Sequence, residues 1–138
     1  MFNKKEFMKL WNENHSIYKK EWRKKYPEKI KKAKKNYLNE HPWSITYTNI
    51  IQRCTNKNQR CYDAYKDKRG DITLEQLKEL WFECQAYLMK KPSIDRIDSN
   101  DVYTKSNLQY IEWSEHVIKT AQERKLKKLG VKYESSNY

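Results

Sequence analysis

The sequence predicts an α+β fold that is mostly helical, with one short two-stranded hairpin and a basic helical arm at the N-terminus. Three observations carry this expectation. Apolar residues recur at helical spacing over much of the chain, two short β-prone runs flank a polar loop after Pro92, and residues 1–41 hold most of the excess positive charge. The 138 residues suffice for one compact domain and an appended arm, which excludes large multidomain machines. Aromatic residues make up 14% of the chain, too many for a disordered polycation, so a small aromatic core is expected.

The arm comes first. Residues 1–41 carry thirteen Lys/Arg and five Asp/Glu, net +8, against seventeen and thirteen, net +4, in residues 42–138. Trp11, Tyr18, Trp22, Ile30, Ala33 and Tyr37 recur at helical spacing, and Pro27, tolerated at a first helical position, divides the pattern into helices of about 4–25 and 27–39. In KKEWRKKYPEKIKKAKK ten basic residues stand against two acidic ones. A face kept only for solubility would mix signs; this one suits phosphates. Lys19, Lys20, Arg23, Lys24 and Lys25 on the first helix, with Lys29, Lys31, Lys32, Lys34 and Lys35 on the second, are therefore candidate DNA contacts.

After His41-Pro42, WSITYTNIIQRC predicts a short helix with Ile45, Thr48 or Asn49, and Ile51 or Gln52 at turn spacing. A polar loop follows. Thr73-Leu-Glu-Gln then fits a capping box, opening a helix whose stripe of Leu74, Leu77, Leu80, Trp81, Cys84 and Leu88 reads as core, and which closes before Pro92. The runs Ser93–Ile97 and Leu108–Trp113 read as strands, and Ser114 as the N-cap of a helix to about Lys128. Residues 131–138 are a tail.

The overall charge, +12 from 30 Lys+Arg and 18 Asp+Glu, points to a polyanionic partner, with nucleic acid ahead of an anionic membrane surface. No uncharged apolar run approaches the ~18 residues needed to cross a bilayer, and MFNKKEFMKLW lacks the apolar stretch of a signal peptide. A soluble, cytoplasmic protein without a membrane partner is expected. Cys54, Cys61 and Cys84 form no CxxC pair, which argues against a disulfide framework or a zinc ribbon and for small half-buried thiols.

Strand alternation sends Ile94, Arg96 and Asp98 to one side of the first strand and Asp95 and Ile97 to the other. His116 lies one turn into the following helix. If that helix folds back over the hairpin, Asp95 and His116 meet, offering an oxygen and a nitrogen to a divalent cation with positions left for water and phosphate.

At these residues the sequence resembles the HNH endonucleases, the ββα-metal or His-Me finger group, and most closely their phage- and intron-associated, homing-type branch. The resemblance runs through Arg53-Cys54, Tyr62, Tyr65, the Thr73 helix, Pro92-Ser-Ile-Asp-Arg-Ile-Asp98, Tyr103, Asn107-Leu108 and His116, about residues 42–120. It implies an HNH domain over 42–130 that hydrolyses DNA phosphodiesters with Mg²⁺ or Mn²⁺ held by Asp95 and His116. Asn107 would brace the metal loop. The basic arm is similar in composition to N-terminal helices attached to such nucleases, and Arg53, Arg124 and Lys125 are further expected DNA contacts, with Lys127 and Lys128 adding to the tail helix. One such site cuts one strand, so a monomer nicks and a homodimer would cut both.

One residue departs from the family pattern. Arg96 stands where a histidine usually acts as general base, and a guanidinium stays protonated; it could instead orient the scissile phosphate. The base is then Asp98, His15, His41, or a metal-bound hydroxide formed without a protein base, the last being favoured. Asp98 pairing with Arg96 across the turn is an equally good reading. A DNA-binding descendant of the fold that has lost cleavage is the alternative function, with a basic RNA-binding or structural module behind it.

Overall fold

The computed structural model describes residues 3–131. The chain divides into two compact units, Met1–Glu40 and His41–Tyr138. The first is helical. Helix α1 (Lys4–Lys25) starts where the Asn3 side chain accepts from the backbone N–H groups of Lys5 and Glu6, a cap absent from the sequence expectation. Helix α2 (Pro27–Glu40) follows Tyr26, with Pro27 at the first position, where its missing N–H costs nothing. Neither helix buries a residue; Trp11, Tyr18 and Tyr37 are about half exposed or more.

The second unit holds the core. Helix α3 (Pro42–Thr55) is longer than expected, and its buried stripe is Trp43, Ile50 and Cys54 rather than the one containing Ile45, which stands 44% exposed. The buried face is set by the tertiary partner: Trp43 packs on Trp81 and Phe82 of the helix that follows Thr73. The loop expected after α3 contains a four-residue helix, α4 (Tyr62–Tyr65), too short to leave a periodic signal. Helix α5 (Leu74–Glu83) opens on the Thr73 capping box, with both reciprocal bonds formed. It ends earlier than expected. Gln85 takes a left-handed φ of 52°, a 3-10 turn covers Ala86–Leu88, and Leu88, assigned to the core stripe, is instead exposed.

Strands β1 (Pro92–Arg96) and β2 (Leu108–Glu112) pair antiparallel with Asp95 opposite Gln109. Helix α6 (Trp113–Lys128) leaves β2 directly; it begins one residue before the expected Ser114 cap, and no side chain caps it. Instead, the Glu112 carboxylate accepts the backbone N–H groups of Lys90 and Lys91, tying the end of β2 to the entry of β1. The fold is thus α+β and mostly helical, with one small antiparallel hairpin. Arg124 and Lys125 lie on α6, while most of the expected tail, residues 132–138, lies outside the described residues.

Ile50, Ile72 and Leu77 are fully buried between α3, α5 and the hairpin. Each contributes about 1.5–3 kcal/mol relative to exposure. Aromatics complete the core: Trp81 meets Tyr110 edge-on at 5.2 Å, and Trp43 packs on Trp81 and Phe82. Cys54 belongs to this core, with Cys61 and Cys84 half-buried. Burial pushes the Tyr110 phenol up to about 12, only partly offset by its hydrogen bond to Thr46.

Candidate functional site

The site forms where α6 crosses the hairpin. Alternation along β1 places Ser93 and Asp95 on one face, and α6 lays His116 and Lys119, three residues apart on its surface, against that face. Asp95 is buried, 4% exposed. Its Oδ1 lies 3.9 Å from His116 Nε2, and its Oδ2 accepts from Gln109 Nε2 at 3.0 Å. His116 Nδ1 is 2.7 Å from Ser93 Oγ, and Trp113 meets the imidazole edge-on at 5.8 Å. In the tautomer protonated at Nδ1 the ring donates to Ser93 and leaves the Nε2 lone pair available to a cation beside Asp95; in the other tautomer it accepts from the Ser93 hydroxyl.

Lys119 completes this cluster. Its ammonium donates to Asp95 Oδ1 at 3.0 Å and Oδ2 at 2.8 Å, and to the carbonyls of Arg96 and Ile97 at 2.5 and 3.2 Å. A buried carboxylate requires a counter-charge, and here lysine supplies it. No motif marked Lys119 or Gln109 beforehand, and Ser93, though inside the Pro92–Asp98 motif, carried no expected role. Their signal was positional: a helical neighbour of His116, a same-face neighbour of Asp95, and its cross-strand partner.

Asn107 is the structural centre of the loop between the strands. It is 7% exposed; its Oδ1 accepts from Asp98 N–H at 2.8 Å, and its Nδ2 donates to the carbonyls of Asp98 and Val102 at 3.1 and 3.0 Å. The far side of this loop is clasped by residues 68–72. Tyr103 N–H donates to the Lys68 carbonyl and Ile72 N–H to that of Tyr103. Gly70, at φ +58°, is required there because a Cβ would stand 2.1 Å from the Tyr103 oxygen.

Arg96 leaves β1 on the face opposite Asp95. Its guanidinium lies 5.0 Å from the Tyr65 ring centre and 5.1 Å from that of Tyr103, and it donates to the Asp101 carbonyl at 2.9 Å. It is therefore not gathered with Asp95 and His116. Nor does it pair with Asp98, whose Oδ1 accepts instead from Asn100 N–H within the loop. Arg53 shares the tyrosine cluster, 5.9 Å from the Tyr65 ring. Burial opposes its charge, but the hydrogen bond to Tyr103 and the surrounding phenols outweigh that and raise its pKa; for the Tyr103 phenol, burial itself is what raises the pKa. Of the other candidate bases, His41 sits edge-on to Trp43 at 5.6 Å and His15 stacks on Trp11 at 4.7 Å in the other unit.

Two ligands on one small divalent ion, each bonded at about 2.1 Å, can stand no more than ~4.2 Å apart. The Asp95 and His116 atoms, 3.9 Å apart, meet that limit, and an oxygen with an imidazole nitrogen is a suitable donor pair. The Lys119 ammonium now stands against the carboxylate such an ion would use. Among the described residues no cluster of three His, Cys, Asp or Glu side chains could hold a metal, so an ion on this pair would complete its shell with water, phosphate or neighbouring backbone carbonyls. His116 and Ser93 open onto a groove of about 320 Å³, whose walls include Ile45, Thr46, Arg53, Tyr110 and Trp113. No helix among the described residues is long and apolar enough to cross a membrane. Compared with protein-family models, with curated proteins and with solved structures, the chain matches none.

Proposed function

We propose that this chain is a DNA endonuclease of the HNH type, hydrolysing phosphodiester bonds with Mg²⁺ or Mn²⁺ held between Asp95 and His116, and that it serves as a phage homing-type nuclease. The observation that carries this reading is the convergence, to 3.9 Å, of a buried strand carboxylate and a helix imidazole beside a loop braced by a buried asparagine. An ion there would stabilise negative charge on the phosphate and its leaving oxygen. The chain's own residues do the positioning. Ser93 and Trp113 fix the His116 ring, Gln109 orients the Asp95 carboxylate, and Asn107 keeps the loop after β1 in register. The groove beside His116 and Ser93, with Arg53 in its wall, is where this reading seats the DNA backbone.

Affinity comes from elsewhere. The lysines and arginine of α1 and α2, with Arg53, Arg124 and Lys125, neutralise phosphates and release counterions without reading sequence. Arg96 braces the tyrosine cluster instead of meeting the scissile phosphate.

The second reading, a DNA-binding protein that no longer cleaves, is favoured by one observation: a lysine ammonium already satisfies Asp95. Supercoiled plasmid incubated with the protein and Mg²⁺ or Mn²⁺ separates the two. Nicking that a chelator abolishes supports the nuclease; retention of the plasmid with no nicking at any metal or salt concentration supports the silent binder.

A further inference from the structure

The surroundings of the Lys119 ammonium resemble those of a bound cation more than those of an ordinary salt bridge. Four oxygens, two from the Asp95 carboxylate and two from the carbonyls of Arg96 and Ile97, lie within 3.2 Å of a nitrogen that has three protons to share among them. A carboxylate and backbone carbonyls are also what a hard divalent ion selects. A second carboxylate waits nearby. Glu123, one turn further along α6, stands 3.8 Å from the same nitrogen and is held in place by Ser99 Oγ at 2.6 Å.

We propose that Lys119 is the resident cation of the Asp95 site, keeping a divalent ion off the carboxylate in the free protein and admitting it by swinging its ammonium toward Glu123. The proposal deepens the nuclease reading and rests on it. An ion and an ammonium bonded to one buried carboxylate repel each other, and in a poorly solvated site that repulsion weakens the hold of both, so moving the ammonium away favours the ion. Lysine suits such an exchange. Its charge is compact, its four-carbon stem is flexible, and the Glu123 carboxylate lies only 3.8 Å away, so the ammonium can change partners while α6 stays where it is. Glu123, four residues on along α6, offers the ammonium a second carboxylate within reach.

If the ammonium holds Asp95 in about nine molecules of ten, the apparent affinity for an ion falls about tenfold. The test is a titration of Mn²⁺ into the full chain without DNA, the bound ion read by electron paramagnetic resonance and the fold by circular dichroism. Lys119→Met and Lys119→Gln are expected to bind Mn²⁺ about tenfold or more tightly than the native protein. Glu123→Gln, which keeps the Asp95 pair and can still accept from Ser99, is expected to bind it several-fold more weakly. Should both Lys119 variants unfold, the Glu123 variant decides alone: weaker binding supports the exchange, and unchanged binding overturns it. Native protein and folded Lys119 variants binding Mn²⁺ equally well through Asp95 would overturn the resident-cation role and leave the ion-holding pair standing. No Asp95-dependent binding in any variant would overturn both.

Discussion

The Asn107 side chain holds the backbone of Asp98 from both sides, accepting from its N–H at 2.8 Å and donating to its carbonyl at 3.1 Å. With the bond to Val102, one buried side chain satisfies three backbone groups of the loop that follows β1. Asn107→Ala leaves those groups unpaired in a part-buried setting and is expected to cost about 2–4 kcal/mol, read as a fall in Tm. Asn107→Asp keeps the acceptor but loses both donors, so thermal denaturation should place it below the native protein as well.

Asp95 and Lys119 form an ion pair whose side chains are 4% and 15% exposed. Removing one partner strands the other charge. Asp95→Ala or Lys119→Met alone is expected to destabilise by about 3–5 kcal/mol, whereas the double variant should recover much of that loss. Urea denaturation of the four proteins in this cycle checks it; simple additivity would mean that the pair is not coupled.

The core-forming residues all lie between Trp43 and Tyr110, within the second unit. Deleting residues 1–40 is therefore expected to leave that unit folded. It should also reduce DNA affinity and flatten its salt dependence, by about 0.9 in the logarithmic slope for each phosphate that the arm no longer neutralises. Filter binding across a salt series measures both, and unchanged affinity would remove the arm from the interface.

Tyr110 links pH to stability. Burial raises its phenol from an ordinary value near 10 to about 12, so the unfolded chain loses this proton at lower pH than the folded one. The stabilisation is complete below about pH 10 and disappears as pH rises through 12. Denaturation curves between pH 9 and 12 should show a loss of stability in the native protein that is smaller in Tyr110→Phe.

Much of this arrangement could be read in the residues themselves. Pro27 and the Thr73 box fixed two helix starts because each acts locally, through φ or reciprocal capping bonds. Period-two alternation sent Asp95 and Arg96 to opposite faces, and the expected fold-back of the last helix over the hairpin placed His116 beside Asp95. What escaped was decided by tertiary partners. The buried face of α3 depends on where α5 docks, the early end of α5 on the left-handed turn at Gln85, and the place of Arg96 on Tyr65, distant in sequence, together with Tyr103. Lys119 escaped for a similar reason: one lysine among many looks like solvent-facing charge until a buried carboxylate lies beneath it.

The most direct measurement of the central claim compares plasmid nicking and plasmid retention for the native protein, Asp95→Ala and His116→Ala in Mg²⁺ and Mn²⁺. The expected result is that His116→Ala lowers nicking by about 10²-fold or more, an estimate in line with the loss of one catalytic group, and that its retention of DNA at low salt is almost native. Asp95→Ala should behave alike once it is shown to be folded. Native nicking rates in both variants, or DNA binding reduced in proportion to cleavage, would contradict an ion-holding role for the pair.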